Sequence, residues 1–96
     1  MLSIRVQAYT GDRLLCGSAD MFPLIEAAER RGLPLLSGVD VYDDTTFNQK
    51  QSVQLQRELD ELAGQSEGLD LLITSVRQAL AIVDASPHIY LIFDGD

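Results

Sequence analysis

The chain has 96 residues, of which 46% are hydrophobic and 23% charged, a composition that suits one folded domain and is too apolar for disorder. Its formal net charge of −8 disfavours binding to nucleic-acid phosphates and to anionic membranes. The single cysteine excludes an internal disulfide, the first residues lack the features of a signal peptide, and no apolar run approaches the roughly 20 residues that cross a bilayer. We therefore expect one domain over residues 1–96, located in the cytoplasm.

The first predicted elements form a β-hairpin. Residues 2–9 alternate apolar and polar side chains, which is the period of a strand with one buried face. Residues 10–13, Thr-Gly-Asp-Arg, are a turn signal, and residues 14–16 are a short returning strand.

A first helix follows the hairpin. Asp20 is its predicted N-cap, because an aspartate side chain can accept hydrogen bonds from amides of the first turn. Phe22, Ile25 and Ala28 form its apolar stripe, and Gly32 is its predicted stop.

Two further helices are predicted. The pair Asn48 and Gln51 has the spacing of a capping box, so a second helix begins here and ends at Gly64. After a loop over residues 65–68, the apolar side chains of residues 69–83 follow the 3.6-residue period of a third helix, which Pro87 terminates.

The last predicted strand contains the alternating residues Ile89, Leu91 and Phe93. The element order is then β-β-α-α-α-β, in the α+β class. A right-handed crossover would place the last strand beside the first. We therefore expect a small antiparallel sheet of order 2-1-3, with the helices packed on one face.

The charge is distributed unevenly along the chain. Residues 1–39 carry four basic and four acidic side chains, whereas residues 40–96 carry three basic and eleven acidic ones. The whole net charge of −8 therefore belongs to the second part. We expect a partner to meet the face built from the loop at Asp40, the second and third helices, and the acidic C-terminus.

The acidic loop, residues 40–48, is the first candidate for chemistry. Asp40, Asp43 and Asp44 offer the oxygen ligands that Ca²⁺ and Mg²⁺ prefer. The EF-hand register fails, however, because Tyr42 stands at its third position and Gln51 at its twelfth. We therefore assign no metal ligand and no cofactor, and keep a metal- or ligand-dependent enzyme or sensor using this loop as an alternative.

No catalytic motif is found. Cys16 and His88 are a conceivable nucleophile and base, but no third group is spaced to orient them. Cys16 is more simply a small core residue. The scattered glycines match neither a P-loop nor a dinucleotide fingerprint. We expect that the protein is not an enzyme and assign no catalytic residue.

Two segments carry a resemblance to known proteins. Residues 34–48 read PLLSGVDVYDDTTFN, and residues 88–96 read HIYLIFDGD. They resemble a group of short uncharacterised bacterial proteins that share a P-L-L-S...D-x-Y-x-D-T-x-F-N core and a terminal H-x-Y-L-x-F-x-G-D. The resemblance implies a bacterial source. Because that group has no assigned activity, no residue role is transferred from it.

These observations favour a non-enzymatic protein-interaction domain that binds a basic protein partner. Toxin-neutralising immunity proteins are similar in size and charge only. The predicted contact residues are Asp40, Tyr42, Asp43 and Asp44, since tyrosine is a typical interface anchor and the acids supply the field. A further alternative is a self-associating structural module, a homodimer paired through an edge strand at residues 14–16 or 89–93.

Overall fold

The computed structural model describes residues 1–95. Four β-strands lie in this range: β1 (Ser3–Ala8), β2 (Arg13–Cys16), β3 (Thr45–Phe47) and β4 (Ile89–Asp94). The helices are α1 (Phe22–Arg31), α2 (Ser52–Leu62) and α3 (Glu67–Val83), with short 3-10 helices at Leu36–Gly38 and Gln49–Gln51. No helix within residues 1–95 has both the length and the apolar character to span a bilayer.

The four strands form one antiparallel sheet in the order β2-β1-β4-β3. The α+β class is therefore confirmed, and the last strand does lie beside the first. The predicted order 2-1-3 is wrong, because β3 adds a fourth strand to the far side of β4. The alternation of side chains could not reveal β3, since its three residues are too few to show a period.

The strand register decides which face of the sheet is buried. Ile4 and Val6 of β1 pair with Phe93 and Leu91 of β4, and Phe47 of β3 pairs with Leu91. All five side chains are at most 4% exposed and belong to one core cluster with apolar residues of the helices. The rings of Phe47 and Phe93 meet edge to face at 5.9 Å, a geometry that contributes roughly 0.5–1.5 kcal/mol beyond burial.

Helix α3 is the centre of the helical layer. It packs against β1 and β4, while α1 and α2 pack against α3 and against each other. Five residues of its predicted 3.6-residue stripe are confirmed as buried, Leu69, Ile73, Val76, Leu80 and Val83, and the sixth, Leu72, is partly buried against the core.

The ends of the helices confirm some of the predicted capping and stop residues and correct others. Gly32 ends α1 with a φ of 66°, the left-handed region that side chains avoid, as predicted. The capping box of Asn48 and Gln51 is present, but it opens a 3-10 helix, and α2 begins only at Ser52. The predicted loop over residues 65–68 is too long. Ser66 is the N-cap of α3, so the helix already begins at Glu67.

Glu58 of α2 is a buried carboxylate, although it counts among the eleven acids of residues 40–96. Its side chain is 1% exposed. Its two oxygens accept hydrogen bonds from the backbone amides of Leu35 (3.1 Å) and Leu36 (2.9 Å) and from the Gln54 side chain (3.0 Å). A buried charge is tolerated only when it is hydrogen-bonded in this way. Glu58 thus fixes the apolar connection over residues 33–38 against α2.

Candidate interaction surface

The acidic turn, defined here as residues 40–44, precedes β3 and lies against the C-terminal end of β4. Arg5 of β1 forms salt bridges with Asp94 of β4 and, at 3.6 Å, with Asp44 of the turn. A Cβ atom on Gly95 would collide with the backbone of Asp43, so the turn and the residue after β4 are in close contact. The turn is therefore docked onto the sheet.

Side chains of the acidic turn also bond to its own backbone. The Asp40 carboxylate accepts from the Tyr42 amide at 2.8 Å, and the Asp43 carboxylate accepts from the Asp44 amide at 2.8 Å. The Thr45 hydroxyl accepts from the Asp40 amide at 3.0 Å. These short-range bonds brace the backbone of the turn, and the Tyr42 side chain that it carries is exposed to solvent.

Two aromatic rings are exposed beside the turn. Tyr42 is 79% exposed, and Phe22, the first residue of α1, is 43% exposed. Both line a cavity of about 230 Å³, together with Met1, Leu2, Asp20 and Val41. The predicted apolar stripe of α1 is therefore wrong at Phe22, whereas its other members, Ile25 and Ala28, are buried. Phe22 and Tyr42 instead line the same cavity, and exposed apolar residues that lie close together are typical of interaction sites.

Asp20 stands at the rim of this cavity. One of its carboxylate oxygens, Oδ1, accepts from the amides of Leu2 and Phe22, both at 3.1 Å. The residue at the N-cap position of α1 is Met21 and not Asp20, so the prediction was one residue off, although Asp20 does bind a first-turn amide. The second oxygen, Oδ2, accepts no hydrogen bond from any residue in the described range.

The negative charge is not spread evenly over the predicted face. On α2, Asp60 pairs with Arg77 at 2.7 Å and Glu61 pairs with Arg31 at 2.6 Å, so two acids of this helix are largely neutralised. No lysine or arginine within residues 1–95 lies within salt-bridge distance of Asp40 or Asp43. Asp40 and Asp43 of the acidic turn therefore keep their charge, whereas Asp60 and Glu61 of α2 are paired with arginines.

The geometry does not favour a cation site in loop 40–48. Among the residues that the structure describes, no three His, Cys, Asp or Glu side chains converge as metal ligands would. Asp40 and Asp43 each bind a different backbone amide, and Asp44 turns towards Arg5. The metal- or ligand-dependent alternative stays a prediction.

Cys16 and His88 lie apart. Cys16, at the end of β2, is opposite Arg5 of β1, whereas the carbonyl of His88 accepts from the amide of Tyr9, beyond the other end of β1. Four strand residues, about 13 Å, separate these two positions. Cys16 is exposed on the sheet and is not the core residue that the sequence suggested.

The self-association alternative named two edge strands, and only one of them lies at an edge of the sheet. β4 is paired with β1 on one side and β3 on the other, so the prediction of an exposed edge at residues 89–93 is wrong. β2 pairs with β1 alone, and its Leu14 is 45% exposed. A homodimer through β2 stays a prediction.

No family model matches the chain, and neither a curated protein nor a solved structure is significantly similar to it. A function for this surface therefore has to be argued from its own geometry and charge.

Proposed function

We propose that this chain is a non-enzymatic protein-interaction domain of the bacterial cytoplasm, and that the acidic turn and the adjoining cavity bind a basic protein. One observation carries the proposal: the exposed Tyr42 lies in the chain between Asp40 and Asp43, two carboxylates with no lysine or arginine of residues 1–95 within salt-bridge distance. An aromatic anchor within a charged rim is the arrangement of many protein interfaces.

The docking of the turn supports this proposal. A flexible loop loses conformational entropy when it binds, and that loss weakens the complex. Here the hydrogen bonds of Asp40 and Asp43 and the contact of Asp44 with Arg5 already hold the turn in place. The surface is thus ordered before a partner arrives.

The charge of the turn also favours a basic partner. A negative patch accelerates encounter with a positive protein and repels acidic ones, and salt weakens this effect. Immunity proteins that cover the cationic cleft of a nuclease toxin are one class with this chemistry. The likeness to them is in size and charge only.

The test is capture of a partner with matched charge variants. The double variant Asp40→Asn, Asp43→Asn removes two charges and keeps both acceptor oxygens for the turn. The control Glu67→Gln, Asp84→Asn removes the same charge from the two ends of α3. We expect wild type and the control to retain the same basic protein from lysate of the source bacterium, and the turn variant to lose it.

The purified partner then allows a direct measurement. We expect titration calorimetry with wild type to show affinity that falls as salt rises, and the turn variant to bind at least about tenfold more weakly, since close charge pairs at interfaces contribute about 1.5 kcal/mol or more. An equal loss of affinity in the turn variant and in the control would mean that binding depends on net charge and not on the turn. Equal affinity of all three proteins would remove the turn from the interface.

A further inference from the structure

We infer that the cavity between the acidic turn and the start of α1 receives an arginine side chain of the partner. This inference rests on the proposed function and names the residue type that the basic partner inserts. It adds Asp20 and Phe22 to the contact residues that the sequence suggested.

The size of the cavity favours a single side chain. Its volume of about 230 Å³ is below the roughly 300 Å³ at which cavities begin to hold drug-sized ligands. The cavity is also open at the surface, between residues that stand on three different segments: the N-terminus, the start of α1 and the acidic turn. A side chain projecting from a docked protein can enter it, whereas a cofactor would find little enclosure.

The walls favour a cation with a flat face. Phe22 and Tyr42 are the aromatic residues of the cavity, and Leu2 and Val41 add apolar surface. A guanidinium group stacks on aromatic rings and is more weakly hydrated than an ammonium group, so it enters such a site more readily than lysine does. The methylene groups of arginine can contact the apolar side chains at the same time.

Asp20 provides the matching charge. Its Oδ1 atom is held by the amides of Leu2 and Phe22, so the carboxylate is oriented before binding, while Oδ2 is free of hydrogen bonds within residues 1–95. A guanidinium donor can bond to Oδ2 without displacing an existing contact. A purely apolar side chain would leave this carboxylate partly covered without a partner, which is unfavourable.

Oligoarginine and oligolysine peptides of equal length provide the test, because they carry the same charge and differ in the group that enters the cavity. We expect wild type to bind oligoarginine roughly two- to fivefold more tightly at physiological salt, the difference that an exposed cation–π contact contributes. Fluorescence anisotropy measures both affinities. NMR titration should show oligoarginine shifting the ring signals of Phe22 and Tyr42.

Alanine variants test whether the aromatic rings of the cavity, and not charge alone, produce the preference for arginine. We expect Tyr42→Ala and Phe22→Ala to abolish the preference for oligoarginine while affinity for oligolysine stays within about twofold. Tyr9→Ala is the control, since Tyr9 is also highly exposed (76%) and lies at the hairpin end of the sheet. It should leave the preference unchanged. If Phe22→Ala perturbs α1, Tyr42→Ala still decides, because a side chain 79% exposed contributes little to the fold.

The outcomes distinguish the inference from the function on which it rests. Equal affinity of wild type for the two peptides, or a preference that survives Tyr42→Ala, would overturn the arginine site and leave the basic partner standing. Binding of neither peptide at low salt would contradict the proposed function and the arginine site together. If Asp40→Asn, Asp43→Asn loses the partner but wild type shows no preference between the peptides, the acidic turn stays in the proposed interface and the arginine site is contradicted.

Discussion

Helix α2 and the acidic turn look alike in the sequence and differ in the fold. Each has three acidic residues within five positions: Glu58, Asp60 and Glu61 in α2, and Asp40, Asp43 and Asp44 in the turn. In α2 one of them is buried and two are paired with arginines. In the turn Asp44 contacts Arg5, and no arginine or lysine of residues 1–95 lies within salt-bridge distance of Asp40 or Asp43. Charge counted along the chain is therefore not the charge that a partner meets.

The neighbours of the two segments explain the difference. Helix α2 packs beside α1 and α3, so that its acids come within reach of Arg31 and Arg77. The acidic turn lies at the end of the sheet, where Arg5 contacts Asp44 and Asp94. Asp40 and Asp43 bond to backbone amides instead, which fixes their orientation and leaves their charge in place.

The largest effect on stability is expected from the buried acid of α2. Glu58→Ala leaves the amides of Leu35 and Leu36 without acceptors in the interior, which lowers the free energy of unfolding by about 3 kcal/mol. Asp40→Asn, Asp43→Asn should change it by less than about 0.5 kcal/mol, because both side chains are exposed. Urea unfolding measures both. A similar loss in the two proteins would contradict the contrast between buried and exposed acids.

A smaller effect is expected from the residue that docks the turn. Arg5→Met breaks the salt bridges to Asp94 and Asp44 on a side chain only 18% exposed, so unfolding should become easier by about 2 kcal/mol. Hydrogen exchange at the amides of Tyr42 and Asp44 should also accelerate. Arg13→Met, at the exposed start of β2, is the control and should stay within about 0.5 kcal/mol. Unchanged hydrogen exchange in Arg5→Met would mean that the turn is kept in place by its own hydrogen bonds and not by Arg5.

The smallest effect is expected from the paired acids on the surface of α2. Asp60→Asn and Glu61→Gln each remove one exposed salt bridge, which contributes about 0.5 kcal/mol, and high salt should erase the difference from wild type. Asp40→Asn should show neither the loss nor its salt dependence. A salt-sensitive loss in Asp40→Asn would reveal a cation near the turn and weaken the proposed interface.

Much of the fold could be predicted because it depends on local periods and caps. The alternation of β1 and β4, the stripe of α3 and the stop at Gly32 all record backbone geometry that a few consecutive residues specify. β3 could not be found in this way. Its three residues become a strand because β4 offers them an unpaired edge, and that edge exists only in the assembled sheet.

The candidate site was predicted in part. Tyr42 and its flanking acids stand out in the sequence, since an aromatic side chain among carboxylates in a loop is rarely core. Phe22 and Asp20 were interpreted as helix core and helix cap, because both roles fit their positions along the chain. Only the docking of the turn beside α1 shows that these residues share a cavity with Tyr42.

By itself the sequence determined an acidic α+β chain, its main strands and helices, and the excess of negative charge after residue 39. These properties depend on composition and on contacts between near neighbours. The tertiary structure decided the fourth strand, the burial of Glu58, the neutralisation of α2 and the cavity at Tyr42. Each of these depends on residues distant in the chain, which only the packed helices and sheet bring together.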